Sequence, residues 1–396
     1  MNIYVYEDDK TLDLSPLSSN RATFDIRIGS ETFLDRIKTL FPNHSISLFV
    51  REELEVVTKE KHSELKVNPK EIDEGMWLVG NVIWEKNDFM VLPDKETLFY
   101  NNNNNLIGAF LSKDSSEDWI KNKKSTPNIE KKSELKSNYC PYLWDILSQI
   151  PKTLLYESEE FKKGIQPSTF EGVEFLNSDN IFIGDNVKIQ PSVLMNAENG
   201  PIIIEADTTI YGQTYLEGPL YIGKSSLVKP LTQIKNSAFG PMCKLGGEID
   251  TVIIQGYSNK VHEGHLGDSF VGEWVNLGSG TQNSNLKNNY SFVEVELNNK
   301  KIETNKTHIG TFIGDYTKTA IGTKLNSGSV IGLGSMIATY GFPSKLIDPF
   351  TWYINGEKRK VILDKFFNTT YHCMNRRNKR LSESEIDLLK KLYNKI

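Results

Sequence analysis

Cysteine is scarce. The chain has three among 396 residues, Cys140, Cys243 and Cys373, too far apart for any zinc-binding spacing. Long apolar runs are missing too: nothing approaches the roughly 20 residues that span a bilayer. The opening MNIYVYEDD reads as a strand and not as a signal peptide. Neither charge sign dominates, since 46 Lys and Arg face 51 Asp and Glu for a net charge of −5, which argues against a broad nucleic-acid-binding surface. The expectation is a soluble, reduced, cytoplasmic protein with no membrane or nucleic-acid partner. Hydrophobic residues are thin as well, at 38% with a mean hydropathy of −0.40. The 10% of aromatic residues nevertheless argues against disorder. The length predicts two or three domains.

The character of the chain changes near residue 176. Before it, Asn2 to Tyr6, Ser45 to Val50 and Met76 to Trp84 read as strands. Glu31 to Leu40 reads as a helix with Phe33, Leu34, Ile37 and Leu40 on one face. Strands alternating with helices predict an α/β layer. Asn101 to Asn105 reads as a loop, Lys113 to Lys136 as a solvated helix or an insert, and Tyr142 to Phe161 as a packed helix with a connection.

After it, aliphatic residues recur every six positions. Ile183, Ile189 and Met195 start the pattern; Ile204, Ile210, Leu216, Ile222, Val228 and Ile234 follow; Ile313, Thr319, Leu325, Ile331 and Ile337 resume it. A fixed period signals a solenoid. Each hexapeptide gives one short strand and one turn, and three of them close a coil of about 18 residues whose aliphatic residues stack in columns. A hexapeptide prism of this kind is a left-handed parallel β-helix, with the handedness coming from the fold class and not from the period. Phe239 to Ile309 is less regular. Within it, Phe292 to Leu297 and Lys300 to Glu303 flank Asn298-Asn299 as a projecting hairpin. Pro343 and Pro349 are expected to end the coils. Asp364 to Arg380 is basic, and Ser382 is placed to cap a final helix through Glu385. The domains read as 1–175, 176–352 and a C-terminal segment 353–396.

Several motifs resemble the GlmU-like two-domain family, which joins a sugar nucleotidyltransferase to a left-handed β-helix acyltransferase. In the second half they are GPLYIG at 218–223, CKLGGE at 243–248, QGYSNKVHEGHLG at 255–267, GEWVNLGSGTQNSNLKNNY at 272–290, FIGDYTKTAIGT at 312–323 and GFPSKLIDPFTW at 341–352. In the first half they are PLSSNRATFDIRIG at 16–29 and LWDIL at 143–147. The resemblance is strongest to the alternative branch of Bacteroidetes and relatives, the UDP-N-acetylglucosamine diphosphorylase/glucosamine-1-phosphate N-acetyltransferases.

For the prism, the resemblance implies acetyl-CoA-dependent acylation of an amino-sugar phosphate in a homotrimer, with sites between adjacent prisms. His262, five residues before Gly267 like the family's catalytic His, becomes the general base; His265 is its local rival. Asn285 falls where the family places an Asn that positions the acceptor. Lys260 is a candidate for the sugar phosphate, although the family's lysine lies one residue further upstream. A second family lysine is replaced by Ser291, with Lys287 as a substitute. Gly278, Ser279, Gly280, Gly322 and Thr323 match the acyl-CoA groove. Arg376 and Arg377 would meet CoA phosphates or belong to a solvated basic tail.

For the first half, the resemblance implies transfer of a nucleotidyl group from an NTP, UTP in this family, with Mg²⁺. The common Gly-rich GxGTR loop is absent. Arg21 and Arg27 are the candidate triphosphate contacts, because arginine forks match phosphate oxygens; the alternative is an ion pair with Asp25 or Glu31, and Asp25 belongs to the same candidate substrate-binding segment. Asp8 and Asp9 match an acidic strand end that faces Mg²⁺ or forms a turn. Three readings stay open: a bifunctional enzyme making UDP-N-acetylglucosamine from glucosamine-1-phosphate, a nucleotidyltransferase for another sugar with a mainly structural prism, and a non-catalytic trimeric scaffold.

Overall fold

The computed structural model describes residues 1–121, 128–161 and 170–396. Asn2–Tyr6 (β1) is buried at Ile3, Tyr4 and Val5, as suits a strand covered on both faces. It pairs in parallel with Ser45–Phe49 (β2) and Gly75–Val79 (β4), and Lys66–Val67 (β3) lies beyond β2. Leu106–Leu111, Thr97–Asn101 and Lys132–Leu135 complete the seven-stranded sheet on the other side. The predicted α/β layer is therefore present, with corrections. Met76 to Trp84 divides into Gly75–Val79 and Val82–Ile83. Helix α1 (Phe33–Leu40) starts after Thr32, whose hydroxyl accepts from Asp35 N while the Asp35 carboxylate accepts from Thr32 N. Glu55–Lys61 is α2 and Lys113–Lys121 is α3; within the predicted Lys113–Lys136 segment, residues 122–127 lie outside the described residues. Tyr142 to Phe161 holds two helices, α4 (Leu143–Ser148) and α5 (Ile150–Glu157), with Pro151 in the first turn of the second.

From Glu174 onward the chain winds in three-sided coils. The parallel registers give three inward columns. The first side stacks Ile189, Ile210, Val228, Leu245 and Lys260. The second stacks Met195, Leu216, Ile234, Ile249 and Leu266. The third runs Ile204, Ile222, Phe239, Ile254, Val271, Ile313, Ile331 and Ile347. These columns build the hexapeptide prism of the left-handed parallel β-helix class that the period predicts. Coiling continues without a gap through the irregular stretch from Phe239, and the chain leaves the prism only after Ser284. There the hairpin Glu294–Leu297 and Lys300–Glu303 turns at Asn298-Asn299 as expected. Pro343 and Pro349 do not end the coils: Leu346–Ile347 still pairs with Ser329–Ile331, and Thr351–Ile354 with Met336–Ala338.

The α/β half packs on the third side of the prism. Ile203, Tyr221, Ile253, Phe270 and Phe312 point outward from that side into one apolar core with Trp144, Leu147 and Leu154, and Trp144 meets Phe312 at 5.7 Å between ring centroids. Two helices, α6 (Leu363–Asn375) and α7 (Glu383–Asn394), close the far end, where Phe366 and Tyr393 pack on Phe350. Ser382 caps α7 in the predicted box with Glu385. Within α7, Leu388 enters the core of the α/β half and Leu389 the aromatic cluster at the prism end.

Candidate active sites

In an open α/β sheet, ligands bind beyond the carboxyl ends of the parallel strands. There, past β1 and β2 and over Trp77 of β4, lies a cleft of about 1270 Å³. Asp8 and Asp9 follow β1 after Glu7 and line it. Asp8 is held in place: its carboxylate accepts from the Tyr139 hydroxyl at 2.5 Å and from Lys10 N at 3.0 Å, and burial pushes the carboxyl up despite these bonds. Asp9 is exposed to the cleft. Trp77, Trp119 and Tyr6 give the cleft an aromatic wall, with Tyr6 5.9 Å from Trp119 and 6.1 Å from Trp77. Arg51 also reaches it, but its guanidinium is committed to Glu7 at 2.6 Å, to Glu53 at 3.1 Å and to the Ser18 carbonyl.

The two arginines of the PLSSNRATFDIRIG segment lie elsewhere, on the seam between the halves. Arg21 is buried and its guanidinium pairs with Asp315 of the prism, with Glu273 at 3.7 Å. Arg27 donates to the Gln255 carbonyl at 3.3 Å and to the Ser30 carbonyl at 2.6 Å. Asp25 accepts from His62 at 2.8 Å and faces Lys61 at 3.3 Å; burial alone would raise its carboxyl, but Lys61 and His62 outweigh it and hold it at about 2. None of these three residues lines the cleft. The ion-pair alternative describes Arg21, with its partners on the prism and not at Asp25 or Glu31.

On the prism, the edge between the first and second sides carries His262, Ser279, Gly280 and Gly322. His262 is exposed there. The next residue, Glu263, accepts from the Ser279 hydroxyl at 2.9 Å, and Gly322 N donates to the Ser279 carbonyl at 2.7 Å. Gly280 and Gly322 both turn with φ +69, and a side chain at Gly322 would meet nothing within 4 Å, so this edge is open. Gly278 is pressed against the next coil, 2.7 Å from the Thr319 and Ala320 carbonyl oxygens for an added Cβ. Thr323 faces inward and donates to the Ala320 carbonyl at 2.8 Å, so its hydroxyl does not reach a groove.

Lys260 is also turned inward. It fills an aliphatic slot of the first column, and its ammonium donates to the carbonyls of Gly246 at 3.0 Å and His262 at 2.5 Å. Burial pulls the ammonium down to about 8. The expected phosphate contact is therefore replaced by a clamp on the corner that carries His262.

Asn285 lies at the other end of the second side and donates to Asp268 at 2.7 Å. Gly267 is what lets its neighbours meet: an added Cβ would stand 2.9 Å from Asn285 Nδ2 and 2.5 Å from His265 Nε2. The structure thus sets His265 beside Asn285, with Glu248 3.4 Å from its other ring nitrogen, while His262 occupies the corner where that side begins. Lys287 folds back locally, onto the Phe292 carbonyl at 2.5 Å and Ser291 Oγ at 3.2 Å.

Arg376 and Arg377 border a cavity of about 720 Å³ between α6 and the first side, together with Lys244 and Lys318. Arg377 donates to the Met242 carbonyl and to Asn259, both at 2.6 Å. Tyr257 and Trp274 stack beneath at 4.6 Å. Burial, and then the two arginines, push the Lys244 ammonium down. The buried Cys140 and Cys243 are poor nucleophiles: burial pushes the Cys243 thiol up to about 11 and that of Cys140 well above its usual value. Sequence reasoning missed the cleft residues Lys10, Arg51, Tyr139, Lys391 and Lys395, none of which sits in a recognisable local motif. Among the described residues no helix is long and apolar enough to cross a membrane, and no three His, Cys, Asp or Glu side chains gather as a metal cluster.

A model of the sugar nucleotidyl transferase family matches residues 3–166. The bifunctional sugar-1-phosphate nucleotidylyltransferase/acetyltransferase of Sulfurisphaera tokodaii is 34% identical over 188 residues, which cover 45% of this chain and 42% of that protein. The bifunctional protein GlmU of Carboxydothermus hydrogenoformans is 27% identical over 215 residues, with the same two coverages. The match thus spans less than half the length of these curated relatives. Among solved structures, UDP-N-acetylglucosamine acyltransferase from Campylobacter jejuni aligns over 56% of this chain and 81% of its own, with 14% identity and a TM-score of 0.26. Over the matched part, the chain is similar to GlmU-like bifunctional sugar nucleotidyltransferase/acetyltransferases.

Proposed function

We propose that the chain is a bifunctional transferase of the alternative, Bacteroidetes-type branch, which acetylates glucosamine-1-phosphate and then joins the product to UMP from UTP. The observation that carries this reading is the cleft beyond β1 and β2 and over Trp77 of β4, built by the segment that resembles sugar nucleotidyl transferases and joined in one chain to a hexapeptide prism.

In the prism, His262 takes the proton from the sugar amine as its nitrogen attacks the thioester carbon of acetyl-CoA. The backbone N–H of Gly280, on the open edge beside Gly322, stabilises the oxyanion, and CoA thiolate leaves. Asn285, with His265 and Asp268, orients the acceptor. Arg376, Arg377 and the stacked Tyr257 and Trp274 receive the nucleotide end of CoA. A homotrimer would close this edge with a neighbouring prism.

In the cleft, a sugar-phosphate oxygen attacks the α-phosphorus and pyrophosphate leaves. The donor set fits Mg²⁺, which takes one or two carboxylates and completes its shell with phosphate and water: Asp9 is exposed at the strand end and Asp8 is fixed beside it. When bound, the ion neutralises phosphate charge. The chain's own part is to hold the carboxylates on a rigid strand end and to stack the base against Trp77 or Trp119.

Purified protein given acetyl-CoA, glucosamine-1-phosphate, UTP and Mg²⁺ should form UDP-N-acetylglucosamine by mass spectrometry. No such product would sink this form of the proposal. A second reading, nucleotidyl transfer to another sugar with a mainly structural prism, is favoured by the inward turn of Lys260, which removes one expected phosphate contact. A panel of NTPs and sugar-1-phosphates, with activity unaltered in His262→Ala, would support it.

A further inference from the structure

A nucleoside triphosphate carries several negative charges, and a cleft that holds one needs cations with unengaged ends. The cleft beyond β1 is short of them. Its rim carries Glu7, Asp8, Asp9, Glu52, Glu53 and Glu55. Arg51 is tied to Glu7, Glu53 and a carbonyl, and the arginines of the N-terminal motif are on the seam. From the α/β half itself only Lys10 remains, over the Tyr139 ring at 5.5 Å. The other two cations come from the end of helix α7, more than 300 positions later: Lys391 in its last turn and Lys395 at its C-cap, both on the cleft side. Lys391 is exposed and has no ion pair among the described residues; Lys395 is exposed and holds a single rim carboxylate, Glu53, so its three-donor ammonium keeps N–H groups to spare, whereas Arg51 is half-buried under three acceptors.

The placement of α7 is built. Ser382 caps it, the hydroxyls of Ser382 and Ser384 donate to Glu60 of α2, and Leu388 and Leu389 anchor it in two different cores. Tyr393 donates to the Val361 carbonyl at 2.8 Å, fixing the last turn against the prism end.

We propose that α7 forms the phosphate-binding wall of the nucleotide cleft, with the ammonium groups of Lys391 and Lys395 holding the polyphosphate of a nucleoside triphosphate. This rests on the nucleotidyl-transfer reading of the cleft. It makes the C-terminal segment part of the N-terminal chemistry, since without α7 the cleft retains Lys10 as its one cation not already paired among the described residues.

The test is calorimetric titration of the full chain with UTP and, separately, with inorganic tripolyphosphate, both with Mg²⁺. The Lys391→Gln/Lys395→Gln double variant should bind each probe about ten-fold or more weakly, because two charge-assisted contacts are lost. Lys395→Arg should keep the wild-type affinity. The wild-type affinity for tripolyphosphate should also fall more steeply with salt than that of the double variant. Wild-type binding that the double variant retains in full would overturn the inference and leave the nucleotidyl-transfer reading intact. A wild type that binds neither probe would overturn both. If the double variant fails to fold by circular dichroism, Lys391→Gln alone decides, and unchanged affinity for tripolyphosphate in it overturns the proposal.

Discussion

The two halves bury their polar groups in opposite ways. The α/β half has a broad core of large side chains, among them Phe24, Phe33 and Trp84, and it places Arg21 where a second domain must neutralise it. The prism has narrow columns one side chain wide, and it admits polar residues into the columns themselves: Lys260 on the first side and Asn283 on the second, where Asn283 holds both the N–H and the carbonyl of Gly267, at 2.8 and 2.9 Å. A broad core transmits a defect widely, whereas a stack of coils feels it mainly in neighbouring coils. The prism can therefore shape one corner locally, while the α/β half depends on its contacts with the rest of the chain.

The largest effect that would sharpen this contrast is kinetic. His262→Ala should slow acetyl transfer by about 10²–10⁴-fold, the range for loss of a general base, with UTP-dependent nucleotidyl transfer to supplied N-acetylglucosamine-1-phosphate unchanged. Thiol release from acetyl-CoA and pyrophosphate release read the two reactions separately. Equal loss of both would mean that the halves are not chemically independent. Next comes Arg21→Met. It leaves the buried Asp315 carboxylate without its cation, with only the Asn20 and Glu273 N–H donors, which costs up to about 3–5 kcal/mol. Urea titration should show the α/β half losing structure ahead of the prism, and an unchanged midpoint would show that the seam does not couple them.

The smallest effect is a pH dependence. The Lys260 ammonium is held at about 8 by burial, against 10.5 for an ordinary lysine. Below about 8 the whole cost of burying the charge is present. Between about 8 and 10.5 the unfolded chain binds more protons than the folded one, so stability rises with pH across that window. Relative to Lys260→Met, the wild type should gain stability between about pH 7.5 and about pH 9.5 by denaturant titration. A constant difference between the two proteins would place the ammonium in water.

The prism was legible in sequence because each coil repeats the same inward demand, an aliphatic residue every six positions. Legibility failed where Lys260 and Asn283 took aliphatic slots, since a polar residue in a column erases the period without ending the coil. Leu346–Ile347 and Thr351–Ile354 were hidden for a related reason: Pro343 and Pro349 lie outside the strands and leave them free to pair. The α/β strands showed in their buried apolar runs. The arginines misled because guanidinium chemistry fits carboxylate and phosphate alike, and Asp315 lies 294 positions from Arg21. The candidates His262, Asn285 and Asp8 came from spacing and resemblance. Lys391 and Lys395 could not, because only the packing of α7 on α2 brings them to the cleft.

A rod with three flat sides can share a side only once. Outward-pointing side chains record how each is used: Ile203, Tyr221, Phe270 and Phe312 on the third side are shut away by the chain's own first half. Lys188, Lys244 and Asn276 on the first side and Gln233, Glu248 and Gln282 on the second remain exposed. Any lengthwise partnership between copies is confined to the second side and to what helix α6 leaves open of the first, and the ridge where those sides meet is the one that bears His262, Gly280 and Gly322. The covered third side acts as a key that fixes which way the rod can face its neighbours.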